Sequence, residues 1–239
     1  MLCYPYLYFK DYFKHYNCQI HSTKNISFGS ILTSDVVILA SGGCFEVLDR
    51  FQDHINTLLD INDNVISWGC GHNEHNDRPV YWHIDYHKFK LLSVRDYNFP
   101  GQEYVPCVSA MNPLLDLKLV EKREIGIIEH QDFPINEFRF DKIDHKQSME
   151  KICKFVAESK IIITNTYHAA YWSQLMNRKV ILYKPFSSKF KNFRHQPIEY
   201  SGDLKRDIEL SKNYPLFLSE SREINKRFFI KVKKIIESI

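Results

Sequence analysis

Lys160-Ile161-Ile162-Ile163-Thr164-Asn165-Thr166-Tyr167-His168-Ala169-Ala170 carries the most information about architecture. Its isoleucine run leaves no polar face for water, as in a strand covered on both sides. Polar Thr164, Asn165 and Thr166 then interrupt the run, and Asn165 or Thr166 can cap the helix expected over His168–Met176. A buried strand that passes through a short polar turn into a helix is the repeating unit of a parallel sheet.

The same unit recurs on both sides. Downstream, Lys179–Tyr183 reads as a strand. Upstream, Ser148–Glu158 reads as a helix with Ile152, Phe155 and Val156 inward, and Glu124–Ile128 reads as a strand before it. Nearer the start, Asp35–Ala40 is strand-like, and Ser41-Gly42-Gly43 forms the turn that leaves it. Residues 46–60 then carry Leu48, Phe51, Ile55, Leu58 and Leu59 at helical spacing. The strand Val65–Trp68 follows and leads into a loop, Gly69-Cys70-Gly71-His72-Asn73. Two short apolar runs, Leu91–Val94 and Tyr104–Pro106, complete this half. The chain ends in a basic amphipathic helix expected from about Glu220 to Glu237, with Ser219 as N-cap. The fold class is therefore α/β, with parallel sheets in two halves joined around residues 112–122. The expected domains are 1–115 and 116–239, the terminal helix belonging to the second. Ligands of open α/β sheets bind beyond the carboxyl ends of the strands, so the crevice between the halves is the expected site.

Composition narrows the functional classes. The 239 residues are 44% hydrophobic and 14% aromatic, enough to build a sizeable core. A net charge of +3 without clustered Lys and Arg gives no nucleic-acid footprint. The six cysteines include no CxxC pair, which excludes zinc-ribbon and dithiol redox motifs and favours reduced cytoplasmic thiols. Lys10 and Asp11 cut the aromatic opening stretch short of a signal peptide. No uncharged apolar run reaches about 18 residues, so no membrane-spanning segment is expected. Core packing is the expected use of the opening tyrosines and phenylalanines, with a peripheral membrane contact as the alternative.

Three strand-to-loop junctions can carry chemistry. Gly42 and Gly43 allow close backbone approach to an anion before a helix, although GxGxxG is absent. His72 and Asn73 lie just beyond a strand, where polar side chains can face a ligand. Asn165 and Thr166 precede His168, whose place in a first helical turn suits it to acid or base work. Among cations, Arg95 directly follows Leu91–Val94, and Lys189 follows Ser187 and Ser188 after another strand. Neither HExxH, a P-loop nor a Ser-His-Asp signature is present. His72, His75, His83 and His87 are too dispersed for a metal site.

Taken together, six stretches resemble the polysaccharide pyruvyl transferase family: SDVVILASGGCFEV (34–47), VISWGCGHN (65–73), LLSVRDYN (91–98), YVPCVSAMNPLLD (104–116), EIGIIEH (124–130), and ESKIIITNTYHAAYWSQLMNRKVILYKPFSSKF (158–190). The resemblance implies two Rossmann-like domains in the manner of GT-B glycosyltransferases. It also implies transfer of pyruvate from phosphoenolpyruvate to a sugar of a surface polysaccharide or its lipid-linked precursor, with no cofactor and no metal. By position it carries catalytic roles onto Arg95 and His168. It carries donor or acceptor contacts onto Ser187, Ser188 and Lys189, with Gly42, Gly43, His72, Asn73, Asn165 and Thr166 around them. Many members place an arginine where Thr166 stands, a contact left here to Arg95, Lys189 or Arg194. Two other functions compatible with this architecture are a nucleotide-sugar glycosyltransferase and a non-catalytic glycan-binding protein.

Overall fold

A computed structural model describes residues 5–21, 28–40, 45–46, 49–74 and 83–239. The chain divides into two compact units. One comprises Met1–Met111, Ser187–Arg194 and Arg222–Ile239; the other comprises Asn112–Phe186 and His195–Ser221. The division at Met111 lies close to the expected boundary at 115. Two later stretches nevertheless group with the first unit: residues 187–194 bond to its loops, and residues 222–239 complete its core.

In the first unit, the short helices α1 (Lys10–Phe13) and α2 (Phe28–Leu32) precede strand β1 (Val37–Ala40). A two-residue strand β2 (Phe45–Glu46), helix α3 (Asp49–Ile61) and strand β3 (Val65–Cys70) follow. Then come β4 (His72–Asn73), β5 (Leu91–Val94) and β6 (Glu103–Tyr104). The main sheet has the order β1-β3-β5-β6 and is parallel throughout. β2 and β4 form a separate parallel pair, with Phe45 opposite His72. β3 extends two residues beyond the expected strand. Gly69, read from sequence as loop, adopts φ +58° inside it, and the β3–β5 register shifts between Ser67 and Cys70. A Cβ on Gly69 would stand 2.8 Å from the Val105 carbonyl oxygen, so glycine lets the neighbouring backbone close in.

All six residues of β3 are buried, because a parallel sheet must be covered on both faces. On one face Leu39, Val65 and Val94 pack with Ile55, Leu58 and Leu59 of α3. On the other, Ile66 and Trp68 pack with Phe228 and Val232 of the terminal helix. That helix begins at Phe217, earlier than expected. Ser219 is not its cap: the hydroxyl donates to the Leu216 carbonyl (2.8 Å) from within the first turn. The opening aromatics serve this core. Phe9 stacks on Phe229 at 4.3 Å between ring centroids and approaches Trp68 at 5.4 Å. The Trp68 indole N–H donates to Asn225 Oδ1 (2.9 Å), and the Asn225 amide donates to the Pro106 carbonyl (3.1 Å).

The second unit contains β7 (Arg123–Glu129), β8 (Lys142–Asp144), α4 (Met149–Ala157), β9 (Ser159–Thr164), α5 (Tyr167–Leu175), β10 (Lys179–Leu182), β11 (Ile198–Glu199) and α6 (Leu204–Leu210). α7 (Phe217–Ile236) ends the chain. The five-stranded sheet has the order β11-β10-β9-β7-β8 and is again parallel throughout. Ser148 caps α4 by accepting from the Lys151 N–H (3.2 Å). Among the described residues, no helix is long and apolar enough to cross a membrane.

Replacing Asn225 with alanine leaves the Trp68 N–H and the Pro106 carbonyl buried without these partners. The expected loss is about 2–4 kcal/mol of unfolding free energy, measured by urea denaturation followed through tryptophan fluorescence.

Candidate functional site

In each unit the candidate side chains lie at the carboxyl ends of the parallel strands, where their first loop residues are delivered. In the first unit, His72 follows β3, and Arg95 and Asp96 follow β5. The structure brings the expected residues His72, Asn73, Arg95, Ser187, Ser188 and Lys189 into this unit. The Ser188 N–H donates to the Glu74 carbonyl (3.0 Å), and its hydroxyl accepts from the Glu74 N–H (2.8 Å). The Tyr97 N–H donates to the Asn192 carbonyl (2.9 Å). These backbone links hold residues 187–194 against the two loops. Among the described residues the buried Ser187 hydroxyl oxygen has no partner.

His72 is enclosed. It is 3% exposed, with its ring stacked on Phe99 at 4.0 Å. Asp96, 2% exposed, accepts from both the His72 backbone N–H (2.7 Å) and Nδ1 (2.8 Å) through one carboxylate oxygen. A carboxylate at this distance places the proton on Nδ1, which leaves Nε2 to accept from the Tyr86 hydroxyl (2.9 Å). Tyr86 is the half-buried end of the chain Asp96–His72–Tyr86. Burial, reinforced by the Asp96 charge, pushes its phenol pKa well up, so Tyr86 remains a proton donor at neutral pH. Arg95 is also buried, and its backbone N–H donates to the Cys70 carbonyl (2.9 Å). The expected Gly42 and Gly43 lie outside the described residues.

Asn165, Thr166 and His168 lie in the second unit, and here the expected capping is corrected. Thr166 occupies the cap position of α5, but its side chain makes no capping bond and lies 3.2 Å from the Thr164 hydroxyl. Asn165 spends its amide on another loop: Oδ1 accepts from the His130 N–H and Nδ2 donates to the Phe133 carbonyl, both at 2.7 Å. His168, half-buried in the first turn, lies beside Trp172 at 5.2 Å between centroids.

Sequence reasoning missed His130 and His145. Each is the first residue beyond a strand, β7 and β8 respectively. Because Glu129 pairs with Asp144 in the parallel register, the two imidazoles emerge side by side and stack at 4.3 Å with a 14° tilt. Position alone was the available signal, in the run Gly126-Ile127-Ile128-Glu129-His130. Burial holds the His145 pKa below its ordinary 6.5, with the Lys146 charge adding to the effect; the Glu129 backbone bond and nearby carboxylates oppose it.

A separate pocket of about 150 Å³ includes Gln174, Val180, Ile198, Leu210 and Tyr214, near the amino ends of β10 and β11, and none of the candidate residues. Among the described residues, no group of three or more His, Cys, Asp and Glu could hold a metal ion. Comparison of the sequence with protein-family models gives no match, and comparison with curated proteins gives none either.

Two predictions follow from this geometry. Asp96→Ala strands two buried N–H groups of His72 and is expected to lower unfolding free energy by about 2–4 kcal/mol. Denaturation measures that loss, and long-range proton–nitrogen NMR of the unmutated protein should show the His72 proton on Nδ1. His145 should titrate below 6.5 when its Hε1 resonance is followed. Its contribution to stability is complete above 6.5 and falls as pH drops from there towards the folded-state value, because the unfolded imidazole is protonated first.

Proposed function

We propose that the protein is a group-transfer enzyme of the pyruvyl transferase kind, moving the pyruvyl group of phosphoenolpyruvate onto a pair of sugar hydroxyls. The observation that carries this reading is the Asp96–His72–Tyr86 hydrogen-bond chain, adjoining Arg95 and the Ser187–Lys189 segment at the strand ends of one unit. Ketal formation needs this chemistry. One sugar oxygen adds to C2 of phosphoenolpyruvate while a proton reaches C3, and the second oxygen then displaces phosphate. The two hydroxyl protons must be removed, and the carboxylate and phosphate need donors. Tyr86 can take a proton from a hydroxyl as it passes its own to His72 Nε2. Asp96 stabilises the imidazolium that forms, so no free phenolate is required. Arg95 and Lys189 supply positive charge for the anionic donor, and Ser187 supplies a hydroxyl. His168, in its own unit, is the second acid–base candidate. A two-domain GT-B arrangement and a cytoplasmic location, at the point where surface polysaccharides are assembled, belong to the same proposal.

Nucleotide-sugar glycosyl transfer is the second reading. It is favoured by the absence of a side-chain cap on α5, whose first turn then offers its dipole to a diphosphate. Titration calorimetry with phosphoenolpyruvate, run beside a panel of nucleotide sugars, separates the two. Saturable phosphoenolpyruvate binding is expected, weakened about 10- to 100-fold in Arg95→Lys and His168→Ala variants of unchanged circular dichroism. Nucleotide-sugar binding without phosphoenolpyruvate binding would overturn pyruvyl transfer.

A further inference from the structure

We infer that the aromatic cluster at the carboxyl end of the second unit's sheet, formed by Phe133, Phe186, His130 and His145 with Asp132 at its edge, binds the ring of a pyranose sugar. The inference deepens the proposed function by giving its sugar a location, but its physical basis is independent of which group is transferred.

The first observation is rigidity. Residues 130–133 form a tight turn in which the Phe133 N–H donates to the His130 carbonyl (3.0 Å). Asn165, only 3% exposed, holds both ends of that turn through its amide. A buried asparagine committed wholly to one surface turn fixes the direction in which the turn presents its side chains. The second is the exposed aromatic surface. Phe133 is 50% exposed, yet it packs at a tilt against its neighbours: Phe186 lies 4.6 Å away between centroids and His130 5.3 Å away. An immobilised phenyl face left half in water at the strand ends suits a partner with an apolar face of similar size.

Polar groups around that face select the partner. The Gln131 N–H reaches His145 Nδ1 (3.3 Å), which holds the imidazole against the turn. The Asp132 carboxylate, 69% exposed and 3.8 Å from His130 Nδ1, is an acceptor at the rim. Lys142 pairs with Glu129, and Asp144 accepts from the Lys146 backbone N–H and the Gln147 amide. A phosphate would meet the Asp132 carboxylate at this rim, which disfavours a nucleotide. A pyranose meets these requirements: its C–H face covers Phe133, its edge lies beside the His145 ring, and a hydroxyl donates to Asp132.

The test uses the full-length protein labelled with carbon-13 in its phenylalanine and histidine rings. Methyl pyranosides of glucose, galactose and mannose are titrated separately, with glycerol and uridine diphosphate as comparisons. Affinities on the order of 1–10 mM are expected for single sugars. The Phe133 and His145 resonances should shift saturably, and the sugar C–H protons should move upfield through the aromatic ring current. Phe133→Ala, at an exposed position, and Asp132→Asn should each weaken binding about tenfold. The inference is overturned if no pyranoside shifts these resonances, if both variants bind as tightly as the parent, or if uridine diphosphate shifts them at lower concentration than any sugar. Phosphoenolpyruvate binding is read separately by calorimetry. Its loss with sugar binding intact would sink pyruvyl transfer and leave this site standing; the reverse pattern would sink only the sugar site.

Discussion

The constraint on which each unit depends is that a parallel sheet exposes no polar face and must be covered on both sides. Its strands are therefore apolar throughout, and the covering elements come from wherever the chain can supply them. In the first unit α3 covers one face. The other is closed by residues from both ends of the chain, with Phe9 stacking on Phe229 and Trp68 meeting Phe228 at 5.2 Å. Trp68 brings a polar N–H into that layer, and Asn225 satisfies it from inside the terminal helix while holding the Pro106 carbonyl. A buried polar pair of this kind ties a particular turn of the helix to a particular strand, which apolar packing alone does less sharply.

Parallel pairing also decides which side chains meet. Where neighbouring strands stop in step, the residues immediately after them emerge together. His130 and His145 are adjacent because Glu129 and Asp144 are paired, not because any motif joins them. Asn165 follows the next strand of the same sheet and reaches the turn after β7 for the same reason. In the first unit His72 follows β3 and Asp96 follows β5, and their hydrogen bond closes the equivalent gap.

This explains what could be read from the sequence. β1, β3, β7, β9 and β10 are apolar runs and stood out, as did α4. β8, the tripeptide Lys142-Ile143-Asp144, has one apolar residue and gains its identity only by pairing with β7. β11 has two residues and no pattern, and α6 is short and mostly polar. The partition of the chain was half-legible: the amphipathic pattern marked α7 as a packing element, but the surface it packs on depends on distant residues. Among site residues, helix-start chemistry singled out Asn165 and Thr166, yet the asparagine bonds to another strand's loop. A local pattern cannot show a partner 35 residues away. For the same reason the Asp96 partner of His72, 24 residues distant, could not be foreseen.

Burial separates the roles available to these groups. His72 and Asp96 are removed from water, so their hydrogen bonds act at close to full strength and fix each other's protonation geometry. Their hydrogen-bond chain continues to Tyr86. His130, His145 and Phe133 retain part of their surface and can touch a ligand themselves, at the cost of weaker individual interactions. Exposed rings can recognise a weakly held sugar by area and shape, whereas a proton relay works only where water does not compete for its acceptor. The two carboxylates show the same contrast: Asp96 is sealed against His72, while Asp132 remains in solvent at the rim, where a hydroxyl can reach it.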